Sequence, residues 1–139
     1  MEALYTATAT AVGGRAGSIK SSDGVLDLQL AYPKELGGPG GVATNPEQLF
    51  AAGYAACFEN ALMRVARERK APIRESSVTA HVTIGRNGEG LFELAVVLEI
   101  TVPNRDRAEI QEMIRVTHAE VCPYSRATRG NIEVEFRIT

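Results

Sequence analysis

Residues 44–58 read TNPEQLFAAGYAACF and contain the strongest helix-start signal of the chain. Asn45 can cap a helix, and Pro46 suits the first helical position because it has no N–H to leave unpaired. Glu47 follows in the first turn, where a negative charge is favoured by the helix dipole. The pattern predicts a helix that runs from this cap to about Lys70.

The first half of this helix is apolar on every face over residues 49–58. A helix of this kind must be covered on all sides, and a single chain of 139 residues with small sheets can hardly enclose it alone. The sequence therefore favours a homodimer with a shared core.

Short strands are predicted on both sides of the long helix. Alternation of apolar or β-branched residues, interrupted by glycine-rich turns, predicts strands over 3–12, 15–20, 25–30, 78–84, 91–100 and 132–138. A second helix begins near Asn104 or Asp106 and ends at Cys122-Pro123, with Ile110, Met113, Ile114 and Thr117 on one face. The glycine-rich stretch 37–41 is a loop. The fold class is α+β, with one domain over 1–139.

Composition excludes several classes of partner. The chain has 45% hydrophobic residues and a formal net charge of −2, so nothing in its charge draws it to nucleic acid or an anionic membrane. It has no apolar run long enough to span a bilayer, and its first residues do not resemble a signal peptide. The expected location is the cytoplasm, where any disulfide between two cysteines is transient and catalytic.

The two cysteines are the main candidates for chemistry. Cys57 by itself reads as a small core residue, whereas Cys122 precedes a proline at a helix end, where a thiol can face a cleft. They are 65 positions apart and do not form a C-x-x-C motif. His81 and His118 lack the paired spacing of zinc ligands, so no metal site is predicted and both are expected to be surface or interface residues.

A buried thiol that reacts as a thiolate needs a cation nearby, because an apolar setting raises its pKa. Arg15 is the best candidate, since glycines at 13, 14 and 17 leave room for close approach. The alternative is that Arg15 is an exposed arginine in a hairpin.

Two segments resemble the signature blocks of the organic hydroperoxide resistance (Ohr) proteins within the wider Ohr/OsmC family. They are residues 45–58, NPEQLFAAGYAACF, and 121–132, VCPYSRATRGNI. The resemblance implies a thiol peroxidase in which Cys57 attacks an organic hydroperoxide, Cys122 resolves the sulfenic acid as a disulfide, and Arg15 and Glu47 form the activating pair. It also implies an intertwined homodimer with long central helices enclosed by antiparallel sheets. Dihydrolipoyl groups of a lipoylated protein are the implied reductant, with no tightly bound cofactor.

Helix geometry limits which Cys57 thiol, that of the same chain or of another, Glu47 can reach. Glu47 and Cys57 are ten residues apart, which is about 15 Å along a continuous helix. We therefore expect Glu47, with Arg15, to act on the thiol of the other subunit, or the helix to break near Gly53.

Phe50, Tyr54 and Phe58 are predicted to surround the organic part of the substrate, although one helix is not expected to point all three at one pocket. Two other functions stay open. One is an OsmC-like peroxidase of broader peroxide preference, and the other is a non-catalytic ligand-binding domain with structural cysteines.

Overall fold

The computed structural model describes all residues from Met1 to Thr139. The chain divides into two compact units, Met1–Leu49 and Phe50–Thr139. The elements in chain order are β1 (Ala9–Val12), β2 (Ser18–Ser21), β3 (Asp27–Gln29), α1 (Pro46–Glu68), β4 (Ser77–Arg86), β5 (Phe92–Thr101), α2 (Arg107–Val116), α3 (Pro123–Thr128) and β6 (Glu133–Ile138). The protein is of the mixed α and β class that the sequence predicts.

The N-terminal unit contains an antiparallel meander in the order β1-β2-β3. Its strands are shorter than the predicted 3–12, 15–20 and 25–30, because β2 offers only four residues for β1 to pair with. Arg15 lies in a 3-10 turn over Gly14–Ala16, not in a strand. The cause is the positive φ of Gly13 and Gly14, 79° and 59°, which turns the chain before β2 begins.

The C-terminal unit contains a second sheet in the order β4-β5-β6. Strands β4 and β5 form the predicted antiparallel hairpin, but β6 pairs with β5 in parallel. The predicted antiparallel pairing therefore holds for β4 and β5, whereas β6 departs from it. The connection from β5 to β6 is a crossover through α2 and α3, which returns the chain to the end of the sheet where β5 starts.

One face of α1 builds the core of the C-terminal unit, because its buried residues recur at helical spacing. They pack with residues of β5 and α2 in a single apolar cluster. The opposite face of α1 is exposed within one chain at Ala52, Ala56 and Met63. A single chain thus covers only part of the apolar helix, and the homodimer stays a prediction.

The second helix begins as predicted at Asp106, whose carboxylate accepts a hydrogen bond from the Glu109 N–H at 3.1 Å. It continues past Val116 as a π turn over Thr117–Val121, and Cys122 then adopts an extended conformation. The short helix α3 that follows was not predicted. Its signal is Pro123 at the first position after a capping residue, here Cys122.

Candidate active site

The fold of the C-terminal unit brings the two thiols together. Cys57 lies on α1 and Cys122 lies between the π turn and α3, with their Sγ atoms 3.6 Å apart. Both are free thiols; Cys122 is buried and Cys57 is partly exposed. A disulfide requires about 2.05 Å between the sulfur atoms, so a small movement is enough to join them.

The backbone on both sides of Cys122 determines where its thiol points. The Cys122 N–H donates to the Thr117 carbonyl at 2.9 Å and closes the π turn. The Ser125 N–H, in the first turn of α3, donates to the Cys122 Sγ at 3.5 Å. The thiol is therefore held at the junction of two helical segments, directed at Cys57.

Cys57 is not activated by its own unit. Burial raises the pKa of the Cys57 thiol above its ordinary value of 9.0, and the neighbouring Cys122 sulfur raises this pKa further. A hydrogen bond from the Tyr124 backbone N–H opposes both effects by lowering the pKa. Since desolvation is the largest of these influences, a reactive thiolate at neutral pH requires an additional positive charge.

Arg15 and Glu47 form such a charged pair in the N-terminal unit. The guanidinium donates two hydrogen bonds to the carboxylate, Nη1 to Oε2 at 2.7 Å and Nη2 to Oε1 at 2.6 Å. The pair keeps the pKa of Glu47 below its usual value and raises the pKa of Arg15 above its usual value. This bidentate geometry orients the guanidinium rigidly.

Glycine is needed next to Arg15. A Cβ at Gly17 would lie 1.8 Å from the Val12 carbonyl oxygen, and Gly13 has a left-handed φ. The 3-10 turn that presents Arg15 to Glu47 therefore depends on both residues.

Helix α1 is continuous from Pro46 to Glu68, so the alternative of a break near Gly53 is wrong. Gly53 has a different purpose: a Cβ there would lie 2.9 Å from the Tyr124 hydroxyl oxygen. Its small size lets the Tyr124 ring pack against the helix. Glu47 and Cys57 stay about one-half of the helix apart, on the order of 15 Å along its axis.

The three aromatic residues of α1 form one row along the helix. Their spacing of four residues places them on one face, with ring centroids 6.1 Å apart for Phe50 and Tyr54 and 6.4 Å apart for Tyr54 and Phe58. Tyr124, which the sequence analysis missed, contacts the row with its ring 5.9 Å from that of Tyr54. Tyr54 and Phe58 are fully buried, and Phe50 keeps accessible surface.

The histidines differ from each other. His81 is half-exposed and lies 3.4 Å from a carboxylate oxygen of Glu99. His118 is not a simple surface residue: its ring packs against Phe136, and burial, followed by the charge of Arg129, lowers its pKa. No cluster of three or more histidine, cysteine or acidic side chains has the arrangement of a metal site. No helix has both the length and the apolar character required to cross a membrane.

Comparison with known proteins identifies the class. The model of the OsmC-like protein family matches residues 38–137, and the chain belongs to this family. The organic hydroperoxide resistance protein of Xanthomonas axonopodis pv. citri is 54% identical over 132 residues, which are 94% of this chain and 92% of that protein. OhrB of Bacillus subtilis is 46% identical and is matched over 98% of both chains.

Solved structures agree with the sequence relatives. The crystal structure of an organic hydroperoxide resistance protein from Legionella pneumophila superposes with a TM-score of 0.92 at 47% identity, over 99% of each chain. The resemblance to the Ohr proteins that the two signature blocks indicate is therefore confirmed.

Proposed function

We propose that this protein is a cysteine-based thiol peroxidase that reduces organic hydroperoxides to alcohols. The observation that carries the proposal is the pair of reduced thiols 3.6 Å apart, in a chain whose relatives are named for resistance to organic hydroperoxides. A structural role for both cysteines does not explain why two free sulfur atoms face each other at this distance.

In the first step the Cys57 thiolate attacks the terminal, hydrogen-bearing oxygen of the hydroperoxide. The O–O bond breaks, Cys57 becomes a sulfenic acid, and the departing alkoxide takes a proton to give the alcohol. Cys57 is oxidised by two electrons and the hydroperoxide is reduced by two. The Tyr124 backbone favours the thiolate by lowering the pKa of Cys57.

In the second step the Cys122 sulfur attacks the sulfur of the Cys57 sulfenic acid and releases water. The resulting disulfide protects Cys57 from further oxidation. A dithiol then restores both thiols by exchange and becomes a disulfide itself. We propose that this dithiol is a dihydrolipoyl group of a lipoylated protein, and that no tightly bound cofactor takes part.

Arg15 supplies the positive charge that Cys57 lacks, and Glu47 orients it. Because α1 is continuous, we propose that the pair acts on Cys57 of the other subunit of a homodimer, so that each active site contains residues of both chains. Phe50 contacts the organic group of the substrate, and Tyr54 and Phe58 form the wall behind it.

The proposal is tested by consumption of cumene hydroperoxide with dihydrolipoamide as reductant, compared with hydrogen peroxide as substrate and with thioredoxin as reductant. We expect the organic substrate and the lipoyl reductant to be preferred. Equal use of hydrogen peroxide would instead favour a peroxidase of broader preference.

The nucleophile is tested by Cys57→Ser, which should lower kcat/KM for the hydroperoxide by more than about a thousandfold. Cys122→Ser is the matched control: it should still consume the first equivalent of peroxide and then stop. Undiminished hydroperoxide consumption by Cys57→Ser would contradict the peroxidase assignment and favour a ligand-binding domain.

A further inference from the structure

The Tyr54 hydroxyl lies at the centre of a buried polar cluster beside the two thiols. It is within hydrogen-bond distance of the Ser125 Oγ at 3.0 Å and the Thr128 Oγ1 at 3.1 Å. All three side chains are buried, in a region otherwise occupied by apolar residues. Polar groups cost free energy when they leave water, and a phenylalanine would fill the same space in the aromatic row. The hydroxyl therefore needs an explanation other than packing.

The hydrogen bonds of this cluster have a consistent direction. Thr128 donates its hydroxyl hydrogen to the Tyr124 carbonyl, 3.0 Å away. Its oxygen is then free to accept from Tyr54, and the Tyr54 oxygen can accept from Ser125. Burial raises the pKa of Tyr54, so this hydroxyl keeps its proton. The result is a chain of hydroxyl groups that runs from Ser125 through Tyr54 and Thr128 to the backbone of Tyr124.

The segment that this chain holds also contacts both sulfur atoms. The Ser125 N–H donates to the Cys122 Sγ at 3.5 Å, and the Cys122 Sγ lies 3.6 Å from the Cys57 Sγ. Tyr54 lies three residues before Cys57, on the neighbouring position of the same helix surface. Helix α1 thus contacts the start of α3 twice, about one turn apart: once through Cys57 and once through the Tyr54 hydroxyl.

We propose that Tyr54 is a positioning residue that ties the Cys122 segment to α1, so that Cys122 closes rapidly on oxidised Cys57. The Sγ atoms must approach from 3.6 Å to about 2.05 Å. When hydrogen bonds hold the segment at Tyr124 and Ser125, the Cys122 thiol stays aligned with Cys57 during this movement. This inference rests on the proposed peroxidase function and assigns the buried hydroxyl to the second step of the reaction, not to substrate binding.

The test measures disulfide closure in Tyr54→Phe after one equivalent of cumene hydroperoxide, by rapid quenching and intact-mass analysis. We expect closure to slow by about tenfold, the effect of one hydrogen bond on an equilibrium or a rate. Formation of the sulfenic acid should slow less than closure, because Tyr54→Phe keeps the aromatic ring that stands in the proposed substrate wall and removes only the hydroxyl. With excess peroxide, a larger fraction of Cys57 should become sulfinic acid.

A second variant separates positioning from stability. Tyr54→Phe leaves the Ser125 hydroxyl buried without a partner, whereas Tyr54→Phe with Ser125→Ala removes both groups and restores stability. We expect the double variant to unfold like the unmodified protein and still to close slowly. Wild-type closure in the double variant would overturn the inference. Tyr5→Phe, at an exposed position, is the control for the loss of a tyrosine hydroxyl.

The same variants can be oxidised with diamide, which forms a disulfide without any peroxide. Slow closure with diamide would support the positioning role even if the protein did not consume hydroperoxides, and that second result would count against the proposed function alone. Equal closure rates for all variants with both oxidants would refute the role of Tyr54.

Discussion

At the scale of single residues, the candidate site depends on how charge and burial oppose each other. Burial makes Cys57 a weaker acid than an ordinary cysteine, and no cation of its own unit offsets this effect. Arg15 carries the charge, but its direction is set by Glu47, which binds both arms of the guanidinium. In the proposed mechanism the ion pair is therefore the activating unit, and Arg15 without Glu47 would lose its orientation.

Replacing Glu47 by glutamine should make the free energy of unfolding depend less on pH in the acid range. Because the folded pKa of Glu47 is lowered, the pair stabilises the protein fully above the ordinary value of 4.5. The stabilisation is lost as the pH falls through the lower folded pKa. We expect Glu47→Gln to cost about 1 kcal/mol of unfolding free energy at pH 7, and progressively less in acid.

Urea denaturation at a series of pH values measures this difference. Glu89→Gln, in an exposed turn and without an ion-pair partner, is the control. A gap between the wild type and Glu47→Gln that stays constant below pH 4.5 would show that the carboxylate charge does not contribute.

At the scale of elements, the end of α1 is formed by a residue in a left-handed conformation. The sequence predicts an end at about Lys70, and the helix stops at Glu68. The cap itself is Lys70, whose φ of 59° is left-handed. The Ala71 N–H donates to the Ala66 carbonyl and the Lys70 N–H to the Arg67 carbonyl, as in a Schellman motif.

Lys70→Gly should stabilise the protein, because glycine adopts the left-handed conformation without a Cβ clash. We expect a gain of about 0.5–1 kcal/mol in the free energy of unfolding, measured by chemical denaturation. Lys70→Ala removes the same charged side chain but keeps the Cβ, so it should give no gain. An equal gain from alanine would mean that the charge, and not the backbone conformation, is unfavourable.

At the scale of the whole molecule, apolar surface is left uncovered by one chain. The outer face of α1 is exposed, and so are large apolar residues of the N-terminal unit, including Leu4, Val12, Val25 and Val42. Exposed apolar surface of this extent is characteristic of an association surface. The pattern supports the proposed homodimer.

Mixing two inactive variants tests whether the active site contains residues of both chains. Arg15→Gln retains Cys57, and Cys57→Ser retains Arg15, so in a heterodimer one site regains both residues only if they come from different chains. After subunit exchange we expect about one quarter of wild-type hydroperoxide consumption, since about half of the dimers are mixed and each has one complete site.

Each variant alone, carried through the same exchange procedure, is the control. No recovery, with heterodimers verified by native mass spectrometry, would show that Arg15 acts on Cys57 of its own chain. Sedimentation of the wild type as a monomer would exclude the shared site altogether.

The sequence by itself determined α1, the start of α2 and the main hairpin, because caps, turns and periodicity act between residues a few positions apart. Asn45-Pro46 starts α1, Asp106 caps α2, and the alternation of residues 91–100 predicts β5. The two signature blocks also identified the family. The N-terminal strands were predicted too long, since their length depends on the partner strand and not on the segment itself.

Only the tertiary structure decided the rest. It placed β6 parallel to β5 and revealed α3. It also brought Cys57 within 3.6 Å of a thiol 65 residues away and surrounded the Tyr54 hydroxyl with Ser125 and Thr128. These features depend on packing between segments far apart in the chain. Local propensities do not determine which side chains of such segments come into contact.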